Sequence, residues 1–359
     1  MKKKISFVLY NLSAGGSERV ISLLANSFCE KYGIDVQLIF LWDKKIEYPL
    51  CSDIKISCIE ENVKSLPMPL AILRRISFIK EKAREFQSDV VISFLSQVNM
   101  YCCVALKNRG IPLFISERNN PLSNPERAME RLMRNMVYNS YGFTGAVFQT
   151  DFALQYFEKS LSRAKRQNFT IIENPVSKSL PPPFAGQRRR VIVAVGRLVK
   201  QKNYPVLLRA FKGIDQSYTL EIYGVGELLP QLEKLCEELN ITQRVKFMGK
   251  SPEIYHHIRD CSLFVLTSDY EGMPNVLIEA MSMGIPCVST NFDGVDSVMK
   301  NGYNGLVCRV NDADDLQSKI EMMLKDEELS MALAQNAVLT RTAHDEGRIC
   351  DKWLEFIFK

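Results

Sequence analysis

Long apolar runs are missing from this chain of 359 residues. With no stretch of about 18 consecutive apolar residues, no transmembrane helix is expected. Low-complexity stretches and fixed-period repeats are also missing, which excludes solenoids and repeat arrays. Histidine is scarce: His256, His257 and His344 are the only three, all in the second half. Ten cysteines are scattered from Cys29 to Cys350, with no C-x-x-C pair and no Cys/His cluster. The adjacent Cys102 and Cys103 have poor geometry for pairing. This usage excludes a disulfide framework and fits a cytoplasmic protein with buried or idle thiols. Nothing visible requires a metal or other cofactor.

What is present is ordinary for a globular protein: 46% hydrophobic and 24% charged residues. At roughly 100–200 residues per domain, the length suggests two domains. The opening lysines and the apolar run 5–10 look like the start of a signal peptide, but Asn11, Glu18 and Arg19 follow at once. A first buried strand is the better reading. Charge is unevenly spread. Residues 1–180 carry 25 Lys+Arg against 17 Asp+Glu, whereas the remainder carries 21 against 24. A basic half suits an anionic partner or a solvated surface. Nucleic acid is disfavoured, because no RRM, zinc-finger or helix-turn-helix signature accompanies the charge.

Short apolar runs alternate with amphipathic stretches. Residues 5–10, 36–41, 90–94, 113–116 and 145–149 read as strands, and 17–31, 70–86 and 126–138 as helices. Pro181-Pro182-Pro183 and Gly186 mark a linker over 181–190. Alternation restarts beyond it, with strands at 191–195, 218–223, 245–247, 263–266 and 287–289. The expected fold class is α/β: two Rossmann-like domains, 1–180 and 191–340, whose parallel sheets face an interdomain cleft. A last helix over 341–359 is expected to pack back on the first domain.

The segment Ser268-Asp269-Tyr270-Glu271-Gly272-Met273-Pro274-Asn275-Val276-Leu277-Ile278-Glu279 follows the strand at 263–266. Pro274 suits the first position of a helix, where a missing N–H costs nothing. The amides of Asn275, Val276 and Leu277, with the helix dipole, form a place for a diphosphate. Glu271 lies in the loop before the helix and Glu279 about one turn inside it. One carboxylate can face a sugar and the other a ribose, since carboxylates accept from vicinal hydroxyls. Asp312-Ala313-Asp314 spells a metal motif but opens a helix, where acids cap.

Glu271 and Glu279 at this spacing resemble the E-x7-E signature of family 4 retaining glycosyltransferases of the GT-B fold, of the bacterial surface-glycan type. Further matches run along nearly the whole chain. Gly196-Arg197-Leu198 with Lys202 resembles the segment that holds the donor diphosphate. Tyr223-Gly224-Val225-Gly226 and Phe247-Met248-Gly249 resemble turns near the donor base. Gly15 and Gly16 resemble the loop that contacts donor phosphate or acceptor. The resemblance implies Glu271, Arg197 and Lys202 as catalytic groups. It implies Gly196, Gly224, Gly226, Met248, Gly272, Met273, Pro274, Asn275, Val276, Leu277 and Glu279 as donor contacts. Where many relatives carry a histidine, this chain has Arg118-Asn119, which are expected at phosphate or acceptor.

The activity implied is transfer of a hexose or N-acetylhexosamine, with retention, from a nucleotide sugar to a lipid-linked or oligosaccharide acceptor, without a metal. Another GT-B enzyme, such as an epimerase or phosphorylase, and a silent nucleotide-sugar-binding subunit are the alternatives. The helices at 70–86 and 126–138 mix Arg and Lys with large apolar residues. They read as a surface for an anionic membrane, with Arg127, Arg131 and Arg134 facing lipid on the cytoplasmic face of the inner membrane, or as core packing with a solvated basic face. The basic stretch 159–166 invites the same partners.

Overall fold

The apolar run behind the opening lysines forms β1 (Lys4–Leu9), whose last five residues are all buried. It is the third strand of a seven-stranded sheet. The computed structural model describes residues 2–13, 15–162 and 168–359, so residues 163–166 of the basic stretch 159–166 lie outside the described residues. The chain forms two units. One comprises Met1–Pro175 with Glu346–Lys359, the other Val176–Asp345.

In the first unit β1 is joined by β2 (Asp35–Phe40), β3 (Lys55–Cys58), β4 (Val90–Phe94), β5 (Leu113–Ser116), β6 (Gly145–Phe148) and β7 (Phe169–Ile171). Their order is β3-β2-β1-β4-β5-β6-β7, with every pair parallel. The strands are rich in Val, Ile, Leu and Phe because both faces are covered. One face carries α1 (Gly16–Glu30), with Val20, Leu24 and Phe28 inward. The other carries α2 (Met68–Phe86), α3 (Ser96–Leu106), α4 (Ala128–Tyr141) and α5 (Asp151–Ser160).

The second unit has a six-stranded sheet of β8 (Arg189–Val195), β9 (Thr219–Tyr223), β10 (Val245–Gly249), β11 (Cys261–Leu266), β12 (Cys287–Thr290) and β13 (Leu306–Cys308). The order is β10-β9-β8-β11-β12-β13, again all parallel. Its helices are α6 (Tyr204–Lys212), α7 (Leu229–Glu238), α8 (Ile254–Ile258), α9 (Asn275–Ser282), α10 (Ala313–Lys325) and α11 (Glu327–Ala343). A final helix, α12 (Glu346–Ile357), belongs to the first unit, where Trp353 is fully buried and stacks on Phe94 at 5.9 Å.

The triple-proline segment, read above as part of a linker, lies inside the second unit. Arg341 of α11 donates to the carbonyls of Leu180 and Pro181, each at 2.7 Å. Proline removes N–H donors but leaves carbonyl acceptors, and a guanidinium can take two of them.

Strand order reverses between β1 and β4 in the first sheet, and between β8 and β11 in the second. The loops leaving the carboxyl ends of such a neighbouring pair diverge and open a crevice. In the second unit those loops are 196–203 and 267–274.

Candidate active site

Because β8 and β11 are neighbours, loops 69 residues apart meet. Lys202 Nζ lies 2.5 Å from Glu271 Oε1, with both side chains largely buried. Ser268 Oγ donates to the same carboxylate oxygen at 2.6 Å, and Gln201 Nε2 approaches the other at 3.4 Å while donating to Tyr270 O at 2.8 Å. The loops are pinned to each other by three further hydrogen bonds. Asp269 N–H donates to Gln201 O (2.9 Å), Thr267 Oγ1 to Lys202 O (2.8 Å), and Asn203 Nδ2 to Asp269 Oδ1 (2.6 Å). Thr290 Oγ1 on β12 donates to Ser268 O at 2.6 Å. A carboxylate that receives a cation and a hydroxyl is fixed in orientation before any ligand arrives.

The glycines explain how the backbones come so close. Gly224 has φ 147°, and a Cβ there would overlap the carbonyl oxygen of Gly196. A Cβ on Gly226 would likewise overlap Leu198 O. These turns stack at the ends of β8, β9 and β10, where Gly224 N–H donates to Gly249 O at 2.8 Å. At Gly196 a Cβ would crowd the Lys202 stem at 3.0 Å. Tyr204 donates its hydroxyl to Gly196 O at 3.0 Å, and burial together with Glu271 holds its phenol above the ordinary range. Met248 is 44% exposed, beside those turns.

The helix start differs from the sequence reading. Pro274 is the cap and α9 begins at Asn275. Leu277 N–H is already bonded to Pro274 O at 3.1 Å, and its side chain is fully buried. A diphosphate at this end would therefore meet the amides of Asn275 and Val276, not three. Gly272 and Asn275 are half-buried, while Met273 and Glu279 are buried. Arg197 is exposed and, among the described residues, its guanidinium has no hydrogen bond or ion pair. Asp312 caps α10, accepting from Asp315 N–H at 2.9 Å and pairing with Arg309 at 2.7 Å.

The first unit departs further from expectation. Gly15 caps α1 and Gly16 is exposed. The Glu18 carboxylate, however, packs against Gly15 where a Cβ would stand, so the helix start already faces an acid. Arg118 is 5% exposed and turned inward. Its Nη1 donates to Asn174 Oδ1 at 2.9 Å and its guanidinium lies 4.5 Å from the Phe94 ring centroid, but among the described residues Nε and Nη2 have no hydrogen-bond partner. Burial pushes its pKa down to about 9. The half-buried residue at this strand end is Asn119. Ser268, Gln201 and Thr290 were missed by the motif reading. Ser268 stands in the quoted segment without a role and Gln201 borders Lys202, but Thr290 reaches the site only through strand order. Among the described residues, one group has the spacing of a metal site: Cys29, Cys51 and Asp53 in the first unit, with the two sulfurs 3.5 Å apart.

A cation and a carboxylate locked together, a second cation on the exposed Arg197 and the start of a helix suit an anionic, hydroxyl-rich ligand. Residues 180–339 match the family Glycosyl transferases group 1. The chain is a glycosyltransferase with a group 1 domain. It is 28% identical over 363 residues to the Campylobacter jejuni GalNAc-alpha-(1->4)-GalNAc-alpha-(1->3)-diNAcBac-PP-undecaprenol alpha-1,4-N-acetyl-D-galactosaminyltransferase, covering 99% of this chain and 98% of that protein. A second Campylobacter jejuni protein, N-acetylgalactosamine-N,N'-diacetylbacillosaminyl-diphospho-undecaprenol 4-alpha-N-acetylgalactosaminyltransferase, is 26% identical, with 99% of each chain covered. The structure superposes on Anabaena HepE in complex with UDP with a TM-score of 0.81 at 17% identity, 99% of each chain covered. The glycosyltransferase thus has the two Rossmann-like domains of the GT-B fold.

Proposed function

We propose that this glycosyltransferase transfers a hexose or N-acetylhexosamine, with retention, from a UDP-sugar to a polyprenyl-diphosphate-linked sugar during bacterial surface-glycan assembly, working at the cytoplasmic face of the inner membrane. The observation that carries the reading is the Lys202–Glu271–Ser268 cluster beside the start of α9. The relatives named for undecaprenyl-diphosphate-linked acceptors, which match along their whole length, support the acceptor class. In this reading Arg197, Lys202 and the Asn275 and Val276 amides take the donor diphosphate, and Lys202 is shared between it and Glu271. As the sugar–phosphate C–O bond breaks, the cations take up charge on the leaving group. Glu271 steadies the positive charge on the ring. The acceptor hydroxyl attacks the same face, forms the new C–O bond and passes its proton to the leaving phosphate.

The test incubates the protein with UDP-hexoses and UDP-N-acetylhexosamines, with and without a polyprenyl-diphosphate-linked oligosaccharide. Release of UDP only in the presence of acceptor, with the anomer kept in the product, is expected. Epimerised donor, phosphorolysis of free glycan, or donor binding without turnover would each overturn the assignment. With two cations and a helix start facing the diphosphate, the rate is expected to persist after desalting into excess EDTA. Complete loss restored by magnesium or manganese would refute metal independence.

Glu279, buried on the second turn of α9, is placed in this reading at the ribose hydroxyls. Glu279→Ala is expected to weaken UDP binding by about 1.5–3 kcal/mol, roughly ten- to a hundredfold. Calorimetry with UDP checks it, and an unchanged Kd removes the role.

A further inference from the structure

The outer layer of the first unit is built inside out. On α4, Arg134 and Tyr138 are buried, while Met129, Leu132, Met133 and Met136 are 49–74% exposed. Those four positions recur at the three-to-four spacing of a single helix face. Arg134 cannot face a ligand outside: it donates to Asn124 O at 3.1 Å and Tyr156 Oη at 3.3 Å, and lies 4.6 Å from the Phe157 ring centroid. Arg131 is committed to the carbonyls of Pro125 and Glu126. The triple-arginine face expected from the sequence therefore does not exist; of the three, only Arg127 is exposed.

The first turns of α2 repeat the pattern, with Met68 72% and Leu73 62% exposed. Both helices pack against α3, which lies between them on the same side of the sheet. Each follows a parallel strand and returns antiparallel to it, so α2 and α4 both begin at the carboxyl edge. That is also the edge where the Gly15–Gly16 turn and Asn119 lie.

We propose that this apolar face inserts into the headgroup–acyl boundary of an anionic bilayer, and that insertion, with charge as a lesser contribution, holds the protein there. A bilayer fits better than a protein partner. The exposed side chains form a stripe along one helix face, and flexible Met and Leu adapt to a fluid surface. The 25-against-17 basic excess of residues 1–180 complements anionic headgroups. No helix of the described residues is long and apolar enough to cross a membrane. The inference rests on the proposed acceptor only for its purpose: a bilayer at this edge brings a polyprenyl-linked sugar beside the acceptor loops.

The test is co-sedimentation of the full chain with vesicles of phosphatidylcholine, alone or mixed with phosphatidylglycerol, at low and high salt. Wild type is expected to bind the mixed vesicles and to keep part of that binding at high salt. Leu132→Ser with Met136→Ser should lower partitioning at least about tenfold at both salts. Arg127→Ser should remove only a salt-sensitive part, and Met331→Ser, an exposed position on the second unit, should change nothing. Equal partitioning of wild type and the Leu132/Met136 variant, or no binding by wild type, would overturn the proposal. So would a wild-type dimer that this variant dissociates, because the face would then belong to a second copy. Turnover of a short-chain, water-soluble acceptor should be the same in all variants. Failure of every polyprenyl acceptor with vesicle binding intact would sink the acceptor reading and leave the docking surface standing.

Discussion

Glu271→Gln is expected to lower kcat by roughly 10²–10³-fold, the scale of removing one preorganised electrostatic group, with little change in UDP affinity. The proposed mechanism gives Glu271 its work only as positive charge develops on the sugar. Lys202→Met should differ in kind, raising the Kd for UDP as well as lowering kcat, because Lys202 meets the diphosphate before and during bond breaking. The 2.5 Å contact makes a third variant decisive. Each single change leaves a largely buried partner without its counter-charge. The double variant removes both, so its loss should be far smaller than the product of the single losses. Its Tm should also recover part of what either single variant loses. Strictly multiplicative losses in turnover would mean that the two groups act independently, and the cluster would then be no unit.

The second large effect concerns Arg118. Arg118→Met is expected to stabilise the first unit while damaging function. The guanidinium is nearly enclosed, and among the described residues two of its nitrogens lack hydrogen-bond partners and no carboxylate is bonded to it. Relief of those unsatisfied donors is worth about 1–3 kcal/mol. The lost contact with the Phe94 ring offsets about 0.5–2 kcal/mol of that. The net gain should raise Tm by a few degrees, at about 2–4 °C per kcal/mol for a unit of this size. If the cation is kept for substrate oxygen atoms, transfer falls about tenfold or more, as for loss of a charged hydrogen bond. Thermal unfolding and steady-state rates on one preparation decide both halves. A lower Tm would make Arg118 a structural brace, and unchanged rates would remove it from the substrate's path.

The parallel strands were legible because burial on both faces leaves short apolar runs, and the α9 loop was legible because its turn chemistry is local. Other parts could not be read. α3 has nine of its eleven residues buried, so it shows no polar face for periodicity to detect. β7 and β13 have three residues each, too few to show a pattern. In α4 the spacing revealed a stripe, but spacing cannot tell which stripe faces inward. Arg134 went in because Tyr156, Phe157 and a free carbonyl awaited it. The Lys202–Glu271 pair depends on β8 lying beside β11, a non-sequential neighbour fixed by the whole sheet.

The return of α12 to the first unit sets the order in which the molecule can be completed. Trp353 fills the layer against Phe94, Phe356 meets Phe114 at 5.3 Å, and Lys352 reaches Glu173 at 2.6 Å. Trp353, Phe356 and Lys352 leave the ribosome only after the whole second unit. The second unit has all its strands once Asp345 has emerged, whereas the first, though synthesised earlier, must wait with an open flank for the final helix. During translation the later-made half can finish first, and the nascent first half bears its unfilled apolar surface until α12 has emerged.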